Sequence, residues 1–185
     1  IETSFLDITD LDAVENAIRP NTKLIYCESV SNPLLEVADI SALSRIAKKN
    51  KLLLAVDNTF SPLTITPAKL GADIVIHSLT KFINGTSDCV AGVVCGTTEF
   101  CLGLKDVNNG AGMLLGSTLD SLRASSILKN MRTLHIRMKK HSENAQNSLS
   151  RTLISPRSFD YGRSNESGIW LRRPNYNGRW QFRKC

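Results

Sequence analysis

No stretch of this chain reaches the run of about 18 apolar residues that marks a membrane-spanning helix, and Ile1 does not open a basic-then-apolar leader pattern. There is no C-x-x-C pair, no internal repeat and no low-complexity segment. The five cysteines, Cys27, Cys89, Cys95, Cys101 and Cys185, are an odd number, and three lie in apolar runs. That is most simply expected of a reduced protein, cytosolic or of an organellar matrix, whose cysteines act as small core hydrophobes. Residues 1–150 carry no net charge, with fifteen basic and fifteen acidic side chains. The formal +6 comes wholly from residues 151–185, where Arg151, Arg157, Arg163, Arg172, Arg173, Arg179, Arg183 and Lys184 face only Asp160 and Glu166. The body therefore offers no electrostatic footprint for nucleic acid, and neither nucleic acid nor membrane is expected as a partner.

What is present is an ordinary globular composition, 42% hydrophobic over 185 residues, enough for one substantial core. Thr9–Ile18 combines a capping oxygen, early acids and apolar residues at Leu11, Val14 and Ile18, which predicts an amphipathic helix ending before Pro20. Asp39 opens a second, with Ile40, Leu43, Ile46 and Ala47 on one face and bases in its last turn. Between and after these lie short apolar runs, Lys23–Cys27, Leu52–Val56, Asp73–Ile76 and Val90–Val94. Continuous apolar runs alternating with helices predict an α/β fold with a mostly parallel sheet covered on both faces. Beyond Gly96 a weak helix near Thr98–Leu104 and a long one over Leu119–Leu149 are expected, and after about Ser150 no element is assignable.

Two residues stand where chemistry would be delivered. Asp57 ends the run L-L-L-A-V-D, and ligands of open α/β sheets sit beyond the carboxyl ends of strands. It is equally suited to cap the turn it opens. Lys81 follows the next apolar strand, behind Ser78 and Thr80. A lysine partly desolvated there can condense with an aldehyde, and neighbouring hydroxyls and backbone N–H groups can hold a phosphate. Carboxylate, lysine and hydroxyls together are what pyridoxal phosphate requires.

The runs Y-C-E-S-V-S-N-P (26–33), A-V-D-N-T-F-S-P (55–62), L-G-A-D-I-V-I-H-S-L-T-K-F-I-N-G (70–85) and D-C-V-A-G-V-V-C-G (88–96) carry a resemblance. In this order they resemble the cystathionine/methionine-metabolism family of pyridoxal-phosphate enzymes, of fold type I. The resemblance covers residues 1–150, as part of that family's cofactor-binding large domain. It implies that Lys81 binds the cofactor's aldehyde covalently and that Asp57 pairs with its pyridine nitrogen. Ser78 and Thr80 would bind the phosphate and Asn32 would lie near the 3-oxygen, while Glu28 and Thr59 would line the site. Once displaced by the substrate amine, Lys81 would be a base moving protons at Cα and Cβ. With M-L-L-G-S-T-L-D (113–120), the loops are most similar to members that eliminate a thiol from methionine, giving methanethiol, ammonia and 2-oxobutanoate. Members that make or cleave cystathionine share the same cofactor residues. The resemblance further implies a small sulfur amino acid as substrate, a homotetramer, and family segments on both sides of this one. An isolated fragment would then need a partner subunit, or would be inactive.

Residues 151–185 lack the resemblance. One back-translation of Glu166–Gln181, read a base later, gives N-P-E-Y-G-Y-G-G-R-I-I-M-D-V-G, similar to the start of the family's C-terminal domain. The tail is therefore expected to be disordered or the product of a frameshift or mis-splicing. Ser78-x-x-Lys81 also matches the nucleophile–base pair of penicillin-binding serine hydrolases, but no K-T-G accompanies it and Ser87-Asp88 is followed by Cys89. His77, His135 and His141 have no metal-ligand spacing, so no metal is expected. His77 reads as a hydrogen-bonded strand-end histidine, and Arg132–Lys140 as a solvated basic face.

Overall fold

The computed structural model describes residues 1–154, 170–174 and 180–184. They divide into two compact units, Ile1–Ser142 and Glu143–Cys185. In the first unit, helix α1 (Leu11–Asn16) leads to strand β1 (Leu24–Glu28), helix α2 (Ile40–Lys49), strand β2 (Leu53–Asp57) and a 3-10 turn, Pro67–Leu70. Strand β3 (Ile74–Ser78) runs into a π-helical turn, Leu79–Ile83, and the chain returns as β4 (Gly92–Cys95) before helices α3 (Thr98–Leu104), α4 (Ala111–Leu114), α5 (Ser121–Met131) and the start of α6 (Leu134–Ile154), whose residues from Glu143 on fall in the second unit.

The helices start where side-chain acceptors satisfy their first amides. Asp10 caps α1 by accepting from Ala13 N at 2.9 Å, while Thr9 bonds Asp7. Asp39 does the same for α2 through Ala42 N at 2.9 Å, and Lys48 and Lys49 occupy its negative end. The expected helix over 119–149 breaks at Arg132–Thr133 into α5 and α6. There Asn130 O accepts from the Thr133 amide at 3.3 Å, and the Thr133 hydroxyl and the Arg137 guanidinium also donate to it.

The four strands lie in the order β1-β2-β3-β4. The first three are parallel, in the register Glu28↔Asp57 and Asp57↔Ile76. β4 corrects the reading of a fourth buried parallel strand: it pairs antiparallel to β3 through Ser78↔Gly92 and is largely exposed at the sheet edge. Only the π-helical turn and a loop join β3 to β4, with no crossover helix to carry the chain back along the sheet.

Alternation along the strands sends Ile25, Cys27, Leu54 and Val56 to one face, where they pack with Val14, Ile40, Leu43 and Ala47 of α1 and α2. Leu43 and Leu54 are fully excluded from solvent, and each such burial contributes about 1.5–3 kcal/mol. Ser44 of α2 donates to Gly71 O at 2.9 Å, and a Cβ at Gly71 (φ +99°) would lie 2.3 Å from the Ser44 hydroxyl, so glycine is required there. The opposite face is not covered as expected, since Leu24, Tyr26 and Leu53 remain about half exposed on it. That outward face also carries Glu28, Asp57 and Ser78 at the carboxyl ends of β1, β2 and β3.

In the second unit, β5 (Trp170–Pro174) and β6 (Trp180–Lys184) pair antiparallel through Arg172↔Phe182. This corrects the expectation of a tail without elements: Trp, Leu and Phe residues inside Arg-rich runs suit paired strands, although no clean alternation signals them. The rest of the tail reading, at 155–169, 175–179 and Cys185, lies outside the described residues. Among the described residues no helix is long and apolar enough to cross a membrane. Cys27, Cys89, Cys95 and Cys101 are free thiols, and burial pushes the Cys27 thiol up to about 11.

Candidate active site

Three parallel strands ending at one edge deliver their last side chains and the loops that follow to a common place. After β1, the Asn32 amide donates to Glu28 Oε2 at 3.0 Å, folding the loop back toward the strand end, and the Asn32–Pro33 bond is cis. After β2, Asp57 Oδ1 accepts from the Thr59 amide at 2.9 Å. The buried Asn58 anchors this loop through Ser61 O (3.2 Å) and Ile65 O (2.9 Å). Thr59 in turn accepts from the Ser78 amide at 2.7 Å, so the ends of β2 and β3 are tied by a side chain.

Together these loops and the π-helical turn line an open cleft of about 1010 Å³. All seven residues expected at the site, Glu28, Asn32, Asp57, Thr59, Ser78, Thr80 and Lys81, face it. Lys81 is exposed among the described residues, not partly desolvated as expected, because the cleft it lines is open. Among the described residues its ammonium makes neither an ion pair nor a hydrogen bond. The Thr80 hydroxyl is already engaged, accepting from Ala91 N at 2.9 Å and donating to Ala91 O at 3.2 Å. No hydrogen bond joins Ser78 Oγ to Lys81, and Ser78 ends a strand, so the nucleophile–base reading of S-x-x-K lacks its defining contact.

Groups that sequence reasoning passed over bond a cleft residue or line the cleft themselves. Tyr26, on the same sheet face as Asp57, donates its phenol to Asp57 Oδ2 at 3.4 Å, and burial followed by the Asp57 charge pushes the phenol's pKa up. The register of β1 on β2 was the signal that could have found it. Arg137 corrects the reading of Arg132–Lys140 as a solvated face: it is half-buried, lines the cleft and makes hydrogen bonds to the π-helical turn. Asp88 accepts from Asn84 and Thr86, both at 2.7 Å, and these bonds, Asn84's first, hold its carboxyl below the usual range.

His77 lies apart from the site residues. Alternation places it on the sheet face opposite Asp57 and Ser78, and its Nδ1 is buried without a hydrogen-bond partner. Burial lowers its pKa from the ordinary 6.5, more than Asn58 and Asp57 raise it. Below about pH 6.5 the unfolded chain takes up a proton that the folded chain refuses, so this histidine's contribution falls as pH drops toward its folded pKa. The wild-type urea midpoint therefore declines more between about pH 7 and pH 5 than that of His77→Asn, which cannot titrate. Parallel declines in the two proteins would refute this.

Residues 1–150 match the family described as Cys/Met metabolism PLP-dependent enzyme. The chain belongs to this family. It is 48% identical over 147 residues to a methionine gamma-lyase of Arabidopsis thaliana, covering 79% of this chain and 33% of the relative. It is 43% identical over 148 residues to a cystathionine gamma-synthase of Haemophilus influenzae, covering 79% and 39%. A solved cystathionine gamma-lyase from Lactobacillus plantarum, complexed with L-serine, superposes with a TM-score of 0.75 at 37% identity, over 83% of this chain and 40% of that one. The chain thus spans 33% to 40% of the length of these relatives.

The family depends on pyridoxal phosphate, and the residues here fit that group. An unpaired lysine amine, a carboxylate held at a strand end and strand-end hydroxyls share one cleft large enough for a phosphorylated pyridine.

Proposed function

We propose that this chain carries the cofactor-holding part of a pyridoxal-phosphate carbon–sulfur lyase acting on methionine. The observation that carries the reading is the convergence of seven strand-end and turn residues on one cleft around an unpaired lysine amine. Bound there, pyridoxal phosphate supplies the electron sink for a substrate carbanion. Lys81 would hold the cofactor through its aldehyde carbon, and its amine would serve as the base that moves protons at the substrate's Cα and Cβ. Asp57 would supply a fixed negative charge for the pyridine nitrogen. Ser78 donates its hydroxyl to the phosphate, and Thr80 does so by exchanging its 3.2 Å bond to Ala91 O, long for a hydroxyl donor. Asn32, whose amide is held by Glu28, would bind near the ring's 3-oxygen, and Thr59 braces Ser78.

The overall reaction takes methionine and water to methanethiol, ammonia and 2-oxobutanoate. The 48% identity to the Arabidopsis methionine gamma-lyase supports this substrate. Formation or cleavage of cystathionine is the second reading, supported by the Haemophilus synthase and the Lactobacillus gamma-lyase. Incubating the purified protein with pyridoxal phosphate and methionine should release thiol and 2-oxobutanoate in equal amounts. Turnover of cystathionine but not methionine would select the second reading, and turnover of neither, with no cofactor fixed by borohydride, would mark an inactive fragment.

The working enzyme is proposed to be a cytoplasmic homotetramer in which a partner subunit closes the open cleft. Residues 151–185 are proposed to be foreign to the family, which the end of the family match at 150 supports. Sequencing the transcript across the codons for 145–170 tests their origin, and an uninterrupted frame would sink the frameshift.

A further inference from the structure

Arg137 makes more hydrogen bonds than any other cleft side chain, and it makes them to the backbone that carries Lys81. The carbonyls of Phe82 and Ile83 end the π-helical turn and lack amide partners of their own in a helix that stops there. Arg137 donates to both, through Nη1 to Phe82 O at 2.6 Å and Nη2 to Ile83 O at 2.9 Å. Nη2 also reaches Asn130 O at 3.3 Å and Nε reaches Thr133 Oγ1 at 3.1 Å. One planar group therefore ties the lysine turn to the end of α5 and the start of α6.

Independent features of the turn fit this clamp. Gly85 has φ +80°, and a Cβ there would lie 2.4 Å from Nη1, so only glycine lets the guanidinium pass beneath the chain. One helical turn beyond Arg137, His141 meets the Phe82 ring edge-on at 5.7 Å, and Phe60, from the Asp57 loop, meets that ring at 5.8 Å. The residue after Lys81 is thus held by its carbonyl and by its ring, while the Lys81 ammonium itself is left unpaired.

We infer that Arg137 is a positioning residue for Lys81: it fixes the turn so that the lysine amine is presented in one place without being neutralised or buried. The inference rests on the reading of Lys81 as the cofactor-binding lysine. A lysine at 137 keeps the charge but has a single nitrogen, which cannot span the Phe82, Ile83 and Asn130 carbonyls in a planar fork. A misplacement of about 1 Å at a reacting group costs on the order of 10²-fold in rate.

The test compares wild type, Arg137→Lys and Arg137→Met in three readouts. Amide hydrogen exchange of residues 82–85, without cofactor, should accelerate in both variants beyond any change in the α2 amides. With cofactor, kcat should fall on the order of 10²-fold with KM little changed, and the pH midpoint of the visible lysine–cofactor band should shift. Added guanidinium should partly restore kcat in Arg137→Met. Unchanged exchange at 82–85 together with an unshifted band would overturn the inference, as would exchange accelerated equally throughout the unit, which marks a general stability role. Mapping borohydride-fixed pyridoxyl in wild type keeps the two claims apart: a label away from Lys81 overturns the functional reading, and the exchange result still decides whether Arg137 holds the turn.

Discussion

Lys81→Ala should abolish covalent capture of pyridoxal phosphate while leaving the fold untouched. Wild-type protein treated with the cofactor and borohydride should carry one pyridoxyl group, and peptide mapping should place it on Lys81. The alanine variant should carry none and lose turnover on the order of 10²–10⁴-fold, the scale of a positioned acid–base group. Its thermal unfolding should match wild type, because the Lys81 side chain is exposed and without an ion pair among the described residues. The neighbours are a useful contrast: Ile83 and Asn84 are 7% and 1% exposed, so changes there act through folding. Lys81→Arg keeps the charge but has no amine able to condense with an aldehyde, and should fail in the same way. A pyridoxyl label persisting elsewhere in Lys81→Ala, or activity near wild type, would remove Lys81 from the chemistry.

The site was legible in the sequence to the extent that strands deliver it. Asp57 ends one apolar run and Ser78 closely follows another, and a run's end is visible without knowing what pairs with it, so Glu28, Asp57 and Ser78 arrive at one edge as soon as β1, β2 and β3 are parallel. What escaped was long-range. Arg137 lies 55 residues from the Phe82 carbonyl it binds, in a stretch whose charge pattern is that of a solvated helix face. Local periodicity cannot separate a basic residue facing water from one facing an unpaired carbonyl. The same limit applies to Tyr26, whose bond to Asp57 exists only through the β1–β2 register, and to Thr80, whose hydroxyl is turned toward Ala91 by the antiparallel return of β4.

Asp57 had two readings from sequence, a turn cap or a charge placed for a cofactor, and the geometry shows that the first holds. Its Oδ1 accepts from the Thr59 amide at 2.9 Å, and through Thr59 Oγ1 the same loop receives the Ser78 amide. A cap needs only an acceptor, and an asparagine side-chain oxygen supplies one. A partner for a protonated pyridine nitrogen needs a negative charge, which asparagine lacks. Asp57→Asn therefore separates the readings at almost constant shape. The variant should unfold at the wild-type temperature within a few degrees, since a retained cap limits the change to a fraction of the roughly 1 kcal/mol that a lost one costs. Turnover should nevertheless fall on the order of 10²–10³-fold, as for loss of one preorganised electrostatic group at a reacting centre, and pyridoxal phosphate should bind more weakly. Asp57→Ala removes cap and charge together and should add a stability loss that the asparagine variant does not show. If Asp57→Asn keeps wild-type turnover, the carboxylate is a loop cap alone, and the charge that holds the pyridine proton must come from another group in the cleft.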